Sequence, residues 1–373
     1  MDINILIYII MKLSNLFSEK RVNMGRQVEL DVAKALSIIF MIFLHTMWVN
    51  INYNHAFSPA YEFVVGNVLG RPYAAPIFMF CMGVGIVYSR HSQWDTMVKR
   101  GVKLYFLGIL VNVFEWFIPH FLSGTLLGNW DAFTIRGGLM LFCVDILAFA
   151  GLSFITMGIL KKFEVSNKKL LVIAVVMSII GFFLDRIDLG NTILDLIFAN
   201  FIGTAGKFEA FPLFNWFIFP VGGYIWGQYF IRAKVKSDFF KFWPLYIVIA
   251  LIYFFVSTNL WGGILSSEDI HSYYFMNTLD AAFCIINIHG VIGLCYWLTK
   301  YIPDAVINVS KILSSNINHI YIAQWFFVPV TGILIAYFFK DLVINDLLNS
   351  LIAICIIILA TLVALSYKKL KTG

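Results

Sequence analysis

Residues 26–50 read RQVELDVAKALSIIFMIFLHTMWVN, and the run from Leu30 to Val49 is an apolar helix of about the twenty residues that a bilayer crossing needs. That run nevertheless carries Asp31, Lys34 and His45. At about 100° per residue, Lys34 and His45 project within roughly 60° of Asp31, so the polar groups form one stripe. Along the axis His45 stands about 21 Å from Asp31, at 1.5 Å per residue. Charges in a spanning segment are costly and face a bundle interior or a cavity, so the stripe marks the inside of a membrane protein.

The remaining chain has the same character. Its 373 residues are 60% hydrophobic and 13% charged, with a mean hydropathy of +0.84, a balance outside the range of soluble domains of this length. Apolar runs of about twenty residues recur, which predicts helices rather than the alternating ten-residue strands of a barrel. Ten such runs are read at 30–49, 62–88, 101–118, 137–160, 169–185, 211–230, 243–260, 277–299, 317–339 and 347–366.

Lysine and arginine accumulate in loops that stay cytoplasmic. In the ten-span scheme 21 of the 27 cations fall on one side, among them Arg21, Arg26, Arg90, Lys99, Arg100, Lys161, Arg232 and Lys236. The opposite loops carry Asp131, Asp188, Asp195, Glu209, Glu268, Asp269, Asp341 and Asp346. The expected fold is therefore an all-α integral membrane protein, a polytopic bundle of about ten transmembrane helices with both termini cytoplasmic. Leu189 to Thr204 is partly apolar, and an eleventh crossing there would invert everything after it. Residues 1–25 read as an N-terminal extension, with Ile3 to Ile10 either an interfacial helix or upstream of a true start at Met24. Residues 26–370 read as a single transmembrane domain.

No phosphate-binding loop, GxSxG elbow, HExxH or CxxC occurs, and the five cysteines lie singly in apolar runs, so no metal is expected. The net charge of +6 is used for orientation, and no nucleic-acid partner is implied. Functional candidates are polar groups inside spans. Arg71 lies about nine residues into the second, and Asp145 and His289 are second-tier lining residues. Histidine suits proton removal from an amine or hydroxyl, or transfer of a group through its own nitrogen. Trp48, Asn50 and Tyr53, beside His55 in the outer loop, suit a sugar and also match an interfacial aromatic belt. A proton-coupled transporter relaying through Asp31, Arg71, Asp145 and His289 is the reading from another class.

The run RQVELDVAKALSIIFMIFLH, with Asp31 and His45 fourteen apart, resembles the first helix of transmembrane acetyltransferases related to heparan-α-glucosaminide N-acetyltransferase and their bacterial relatives. The similarity continues in APIFMFCMGVGI (75–86), KRGVKLYFLGILVN (99–112), VDILAFAGL (144–152) and FPLFNWFIFPVGGYIWG (211–227). The acyltransferase family 3 of polysaccharide and lipid modifiers shares the charged start and the histidine, and fits the later blocks less well.

The resemblance implies transfer of an acyl group, usually acetyl, from cytoplasmic acyl-CoA to an amine or hydroxyl of an extracytoplasmic glycan. By position the catalytic histidine maps to His55, or to His45 if the histidine closing the first helix is meant; both remain candidates. Arg71 or a nearby amide would steady the oxyanion, Arg90, Lys99 and Arg100 would meet CoA phosphates, and Asp31 with Lys34 would form an inner gate or a helix-start ion pair. Lys34 and Ala35 replace the family's usual arginine and glycine, exchanging a planar fork for a point charge. The partners implied are the lipid bilayer and a glycan or amino-sugar acceptor. A homodimer is compatible with the sequence, as is a plasma-membrane location in a prokaryote.

Overall fold

A computed structural model describes residues 16–130, 138–206, 208–261 and 273–372. Ile3 to Ile10, Asp131, Glu268 and Asp269 lie outside them. The organising helix, α1 (Val28–Asn50), contains no glycine or proline, and it ends in an asparagine-rich loop. The chain then passes through a π-helical stretch, Phe63–Gly70, and a short turn, Arg71–Tyr73, before α2 (Ala75–Tyr88). Pro72 and Pro76 account for the interruption, because each removes a backbone donor. α3 (Trp94–Asn112) runs through a second π-helical turn, Val113–Phe117, into Ile118–Leu127.

Then follow α4 (Ile146–Lys162), α5 (Asn167–Phe183), α6 (Ile218–Phe230), α7 (Trp243–Trp261), α8 (Thr278–Leu298), α9 (Asp304–Ser315), α10 (Ile317–Phe338) and α11 (Asp346–Thr372). Two-residue strands β1 (His55–Ala56) and β2 (Ile344–Asn345) pair in parallel and tie the loop after α1 to the start of α11. Among the described residues, seven helical segments are long and apolar enough to cross a membrane. At 17 residues each, α4 and α5 fall just short of that length.

The structure departs from the sequence reading in two places. The fourth segment, expected as one helix over 137–160, is helical at 138–142 and again from Ile146 but is broken at Cys143–Asp145, where Val144 is held by backbone hydrogen bonds with Phe208, Ala210 and Phe211. Within 186–210, where the ten-span reading has no crossing, the one described helix, Thr192–Phe198, has 7 residues, too few to cross a bilayer. Residues 304–315, read as loop, form the amphipathic helix α9, whose buried Ser310, Leu313 and Ser314 face the bundle.

α1 packs against α2, α8, α9, α10 and α11, so the polar stripe is enclosed. The tight pairing of α2 with α6 depends on two glycines. A Cβ on Gly83 would lie 2.0 Å from the Pro220 carbonyl oxygen, and one on Gly223 would lie 1.9 Å from that of Phe80. Gly83→Ala is therefore expected to force the helices apart, at a cost of about 1–3 kcal/mol. Thermal unfolding in detergent measures it, and an unchanged midpoint would contradict this packing.

Candidate functional site

The site is assembled from α1, α2, α3, α4 and α10. At one end a cavity of about 180 Å³ is lined by Lys34 from α1, Phe78, Cys81 and Gly85 from α2, Arg100 from α3 and Asn318 from α10. The two cations predicted from sequence, Lys34 and Arg100, therefore meet in one space. Neither pairs with a carboxylate among the described residues, and the Arg100 guanidinium lies 4.8 Å from the centroid of the Phe154 ring. An unneutralised cation pair in a low-dielectric cavity favours an electron-rich or anionic ligand.

From this cavity a chain of contacts leads inward. The Phe78 ring is 6.4 Å from that of Tyr321, whose hydroxyl donates to the buried Asp145 carboxylate. Glu115, in the second π-helical turn, lies in electrostatic reach of Asp145, and its Oε2 has no hydrogen-bond partner among the described residues. One turn further along α10, Gln324 meets His45: its amide nitrogen is 3.1 Å from Nδ1. The imidazole also stacks on Trp325, with centroids 4.3 Å apart. Tyr321, Gln324 and Trp325 stand at i, i+3 and i+4, so one face of α10 carries both polar clusters.

Other predicted residues fall elsewhere. Asp31 does not pair with Lys34; its oxygens accept from Arg26 Nε at 2.5 Å and from Ser314 Oγ at 2.6 Å. Arg90 is exposed beyond α2, and the exposed Lys99 lies 3.8 Å from Asp95 on its own helix, so neither reaches the cavity. Arg71 is buried beyond the π-helical stretch, where its charge reaches Tyr273 and Tyr274.

Trp48 stands 6.1 Å from the His45 ring. Asn50 is buried and donates to Asn349 Oδ1 at 2.8 Å, while Tyr53 packs on Gly332, and burial pushes its hydroxyl up to about 12. His55 lies in β1, its Nδ1 3.0 Å from the Tyr53 carbonyl and its ring 5.0 Å from Phe57. The two candidate imidazoles thus have different partners.

His289 lines a separate cavity of about 910 Å³ with Trp226, Phe239, Trp243 and Tyr246. Its Nδ1 is 2.6 Å from the Ile285 carbonyl oxygen. Tyr321 and Trp325 were missed by sequence reasoning because an aromatic in an apolar helix reads as core. Their spacing around Gln324 is the signal that finds them.

The segment against Asp145 holds a further ionisable group. Glu209 accepts from Thr204 N–H at 2.9 Å and from Thr204 Oγ1 at 3.2 Å, and burial, with a smaller push from Asp185, raises its carboxyl to about 7. The same strip hydrogen-bonds Val144, the residue before Asp145.

Helices with an apolar exterior and a buried line of cations, carboxylates and imidazole define an integral membrane protein with a polar interior. The family model for the catalytic part of heparan-alpha-glucosaminide N-acetyltransferase matches residues 26–261, well over half of the chain, and the chain belongs to that family of membrane acetyltransferases. The matched region includes His45, His55, Lys34, Arg100, Glu115 and Asp145, whereas α10, with Tyr321 and Gln324, lies beyond it. No curated protein and no solved structure matches the chain significantly.

Proposed function

We propose that this chain moves an acetyl group from cytoplasmic acetyl-CoA to an amine or hydroxyl of an extracytoplasmic glycan, with His45 as the base. What supports the reading, beside the family, is the unbroken run of contacts from the Lys34–Arg100 cavity through Phe78, Tyr321 and Gln324 to His45. Ten crossings with both termini cytoplasmic would put the cavity on the donor side and the imidazole toward the acceptor. Residues 26–370 then act as one transferase domain, preceded by an extension over 1–25. In a prokaryote this places the enzyme in the plasma membrane.

The donor's thioester carbonyl carbon is attacked by the acceptor nitrogen or oxygen; the new C–N or C–O bond forms and the C–S bond breaks. The proton leaving the acceptor goes to the imidazole and ends on the departing CoA thiolate, so the base is regenerated. A cavity of about 180 Å³ suits a slim pantetheine arm better than a nucleotide. Lys34 and Arg100 would attract the electron-rich end of that arm.

Transfer from labelled acetyl-CoA to amino sugars and to glycan hydroxyls, measured with purified full-length protein in nanodiscs, tests the reading. Labelled product is expected. Its absence with every acceptor class, or undiminished turnover in a His45→Ala, His55→Ala double variant, would overturn it.

A further inference from the structure

A second polar cavity, of about 350 Å³, lies where α2, α4 and α6 end. Its wall carries three cations, Arg21, Lys161 and Arg232, against one carboxylate, Glu19. Among the described residues none of the three cations forms an ion pair. Lys161 donates to the Ser92 carbonyl, and Arg232 Nε donates to the Gln228 carbonyl at 2.9 Å, which leaves further N–H groups on both.

Arg21 is brought there by the backbone. The arm before α1 is fastened to the end of α6: Ser18 N–H donates to the Arg232 carbonyl at 2.8 Å, Val22 N–H to that of Ile231 at 2.8 Å, and Lys234 N–H to that of Leu16 at 2.9 Å. Asn23 Nδ2 adds bonds to the Phe230 and Ala233 carbonyls at 2.9 and 2.7 Å. Arg21 thus borders the cavity on a pinned strand, close to a second cation. Burial, and then the charge of Arg21, pulls the Lys161 ammonium below the usual lysine range. An anion between them would relieve that repulsion.

We propose that Arg21, Lys161 and Arg232 form a phosphate-binding site completed by the N-terminal arm, taking a phosphate ester at the cytoplasmic face. Two molecules there carry this chemistry: the nucleotide end of acyl-CoA and an anionic lipid headgroup. The first rests on the transferase reading above. Ile86 and Val87 of the wall directly follow Gly85 of the Lys34–Arg100 cavity, so the last turn of α2 borders both spaces, on different faces. The smaller would take the arm of the donor and the larger its phosphates. Arg21 precedes the region matched by the family, whereas Lys161 and Arg232 lie within it, so the N-terminal arm supplies one of the three cations.

The test uses full-length protein and two probes that are not substrates. Binding of adenosine 3′,5′-bisphosphate is measured in nanodiscs of neutral lipid, and retention of phosphatidylglycerol is measured by native mass spectrometry. Arg21→Gln and Arg232→Gln are each expected to weaken one of the probes by about tenfold or more, as for a lost charge-assisted hydrogen bond. Weakened nucleotide binding identifies the donor as the source of the phosphate. Lost lipid retention with unchanged nucleotide binding identifies the headgroup. Both probes bound as in wild type by both variants, with unfolding midpoints preserved, would overturn the site. Neither readout needs turnover, so a failure of the transferase reading is registered separately.

Discussion

His45→Ala is expected to lower the rate of acetyl transfer by about 10² to 10⁴, the usual contribution of a positioned acid–base group, while His55→Ala leaves it near wild type. The difference comes from what each ring touches. His55 sits in a two-residue strand, its Nδ1 against the Tyr53 carbonyl and its face against Phe57, where its work is to hold the loop. His45 is fixed by Gln324 at Nδ1 and by the Trp325 face, on the helix that also carries Tyr321.

For Nε2 to accept a proton, Nδ1 must carry one, so Gln324 must present its amide oxygen to the ring. That oxygen and the amide nitrogen exchange places by a half-turn of the side chain. Gln324→Leu should then lower the rate through the wrong tautomer and shift its pH profile, without raising KM for the donor. Single-turnover acetyl transfer across pH, with folding checked by size exclusion, measures both variants. Equal losses for His45→Ala and His55→Ala, or loss for His55→Ala alone, would transfer the role to the loop.

The sequence made the stripe on α1 legible because a helix converts spacing into direction, and Lys34 and His45 do lie on interior paths. It could not assign Asp31. Pairing with Arg26 and Ser314 depends on where α9 lies, and residues 304–315 read as a loop because their apolar positions are too few for a span. Arg90, Lys99 and Arg100 look alike as members of one basic stretch. Of the three, Arg100 lines the cavity with Lys34, whereas Lys99 one residue earlier points to Asp95 and solvent. The same ambiguity covers the histidines: His45 and His289 are both imidazoles in apolar helices, and only packing decides that one faces α10 and the other an aromatic cavity. Directions around one helix are local information; which neighbour receives them is not.

Gly85→Leu is expected to abolish donor use, by about a hundredfold or more in kcat/KM, which corresponds to about 2.7 kcal/mol of lost transition-state stabilisation or more. A Cβ on Gly85 meets nothing within 4 Å, and the residue lines the Lys34–Arg100 cavity, so the new side chain would grow into that space instead of into a neighbouring helix. Leucine also improves helix propensity over glycine by close to 1 kcal/mol, so the unfolding midpoint should hold or rise. Gly83, two residues earlier on the same helix, makes the opposite case, since any side chain there strikes the Pro220 carbonyl. The pair separates two reasons for losing activity: Gly83→Ala should unfold earlier, whereas Gly85→Leu should remain folded and lose transfer. If Gly85→Leu turns over acetyl-CoA at the wild-type rate, the donor's arm does not pass between Lys34 and Arg100, and the route to His45 must start elsewhere.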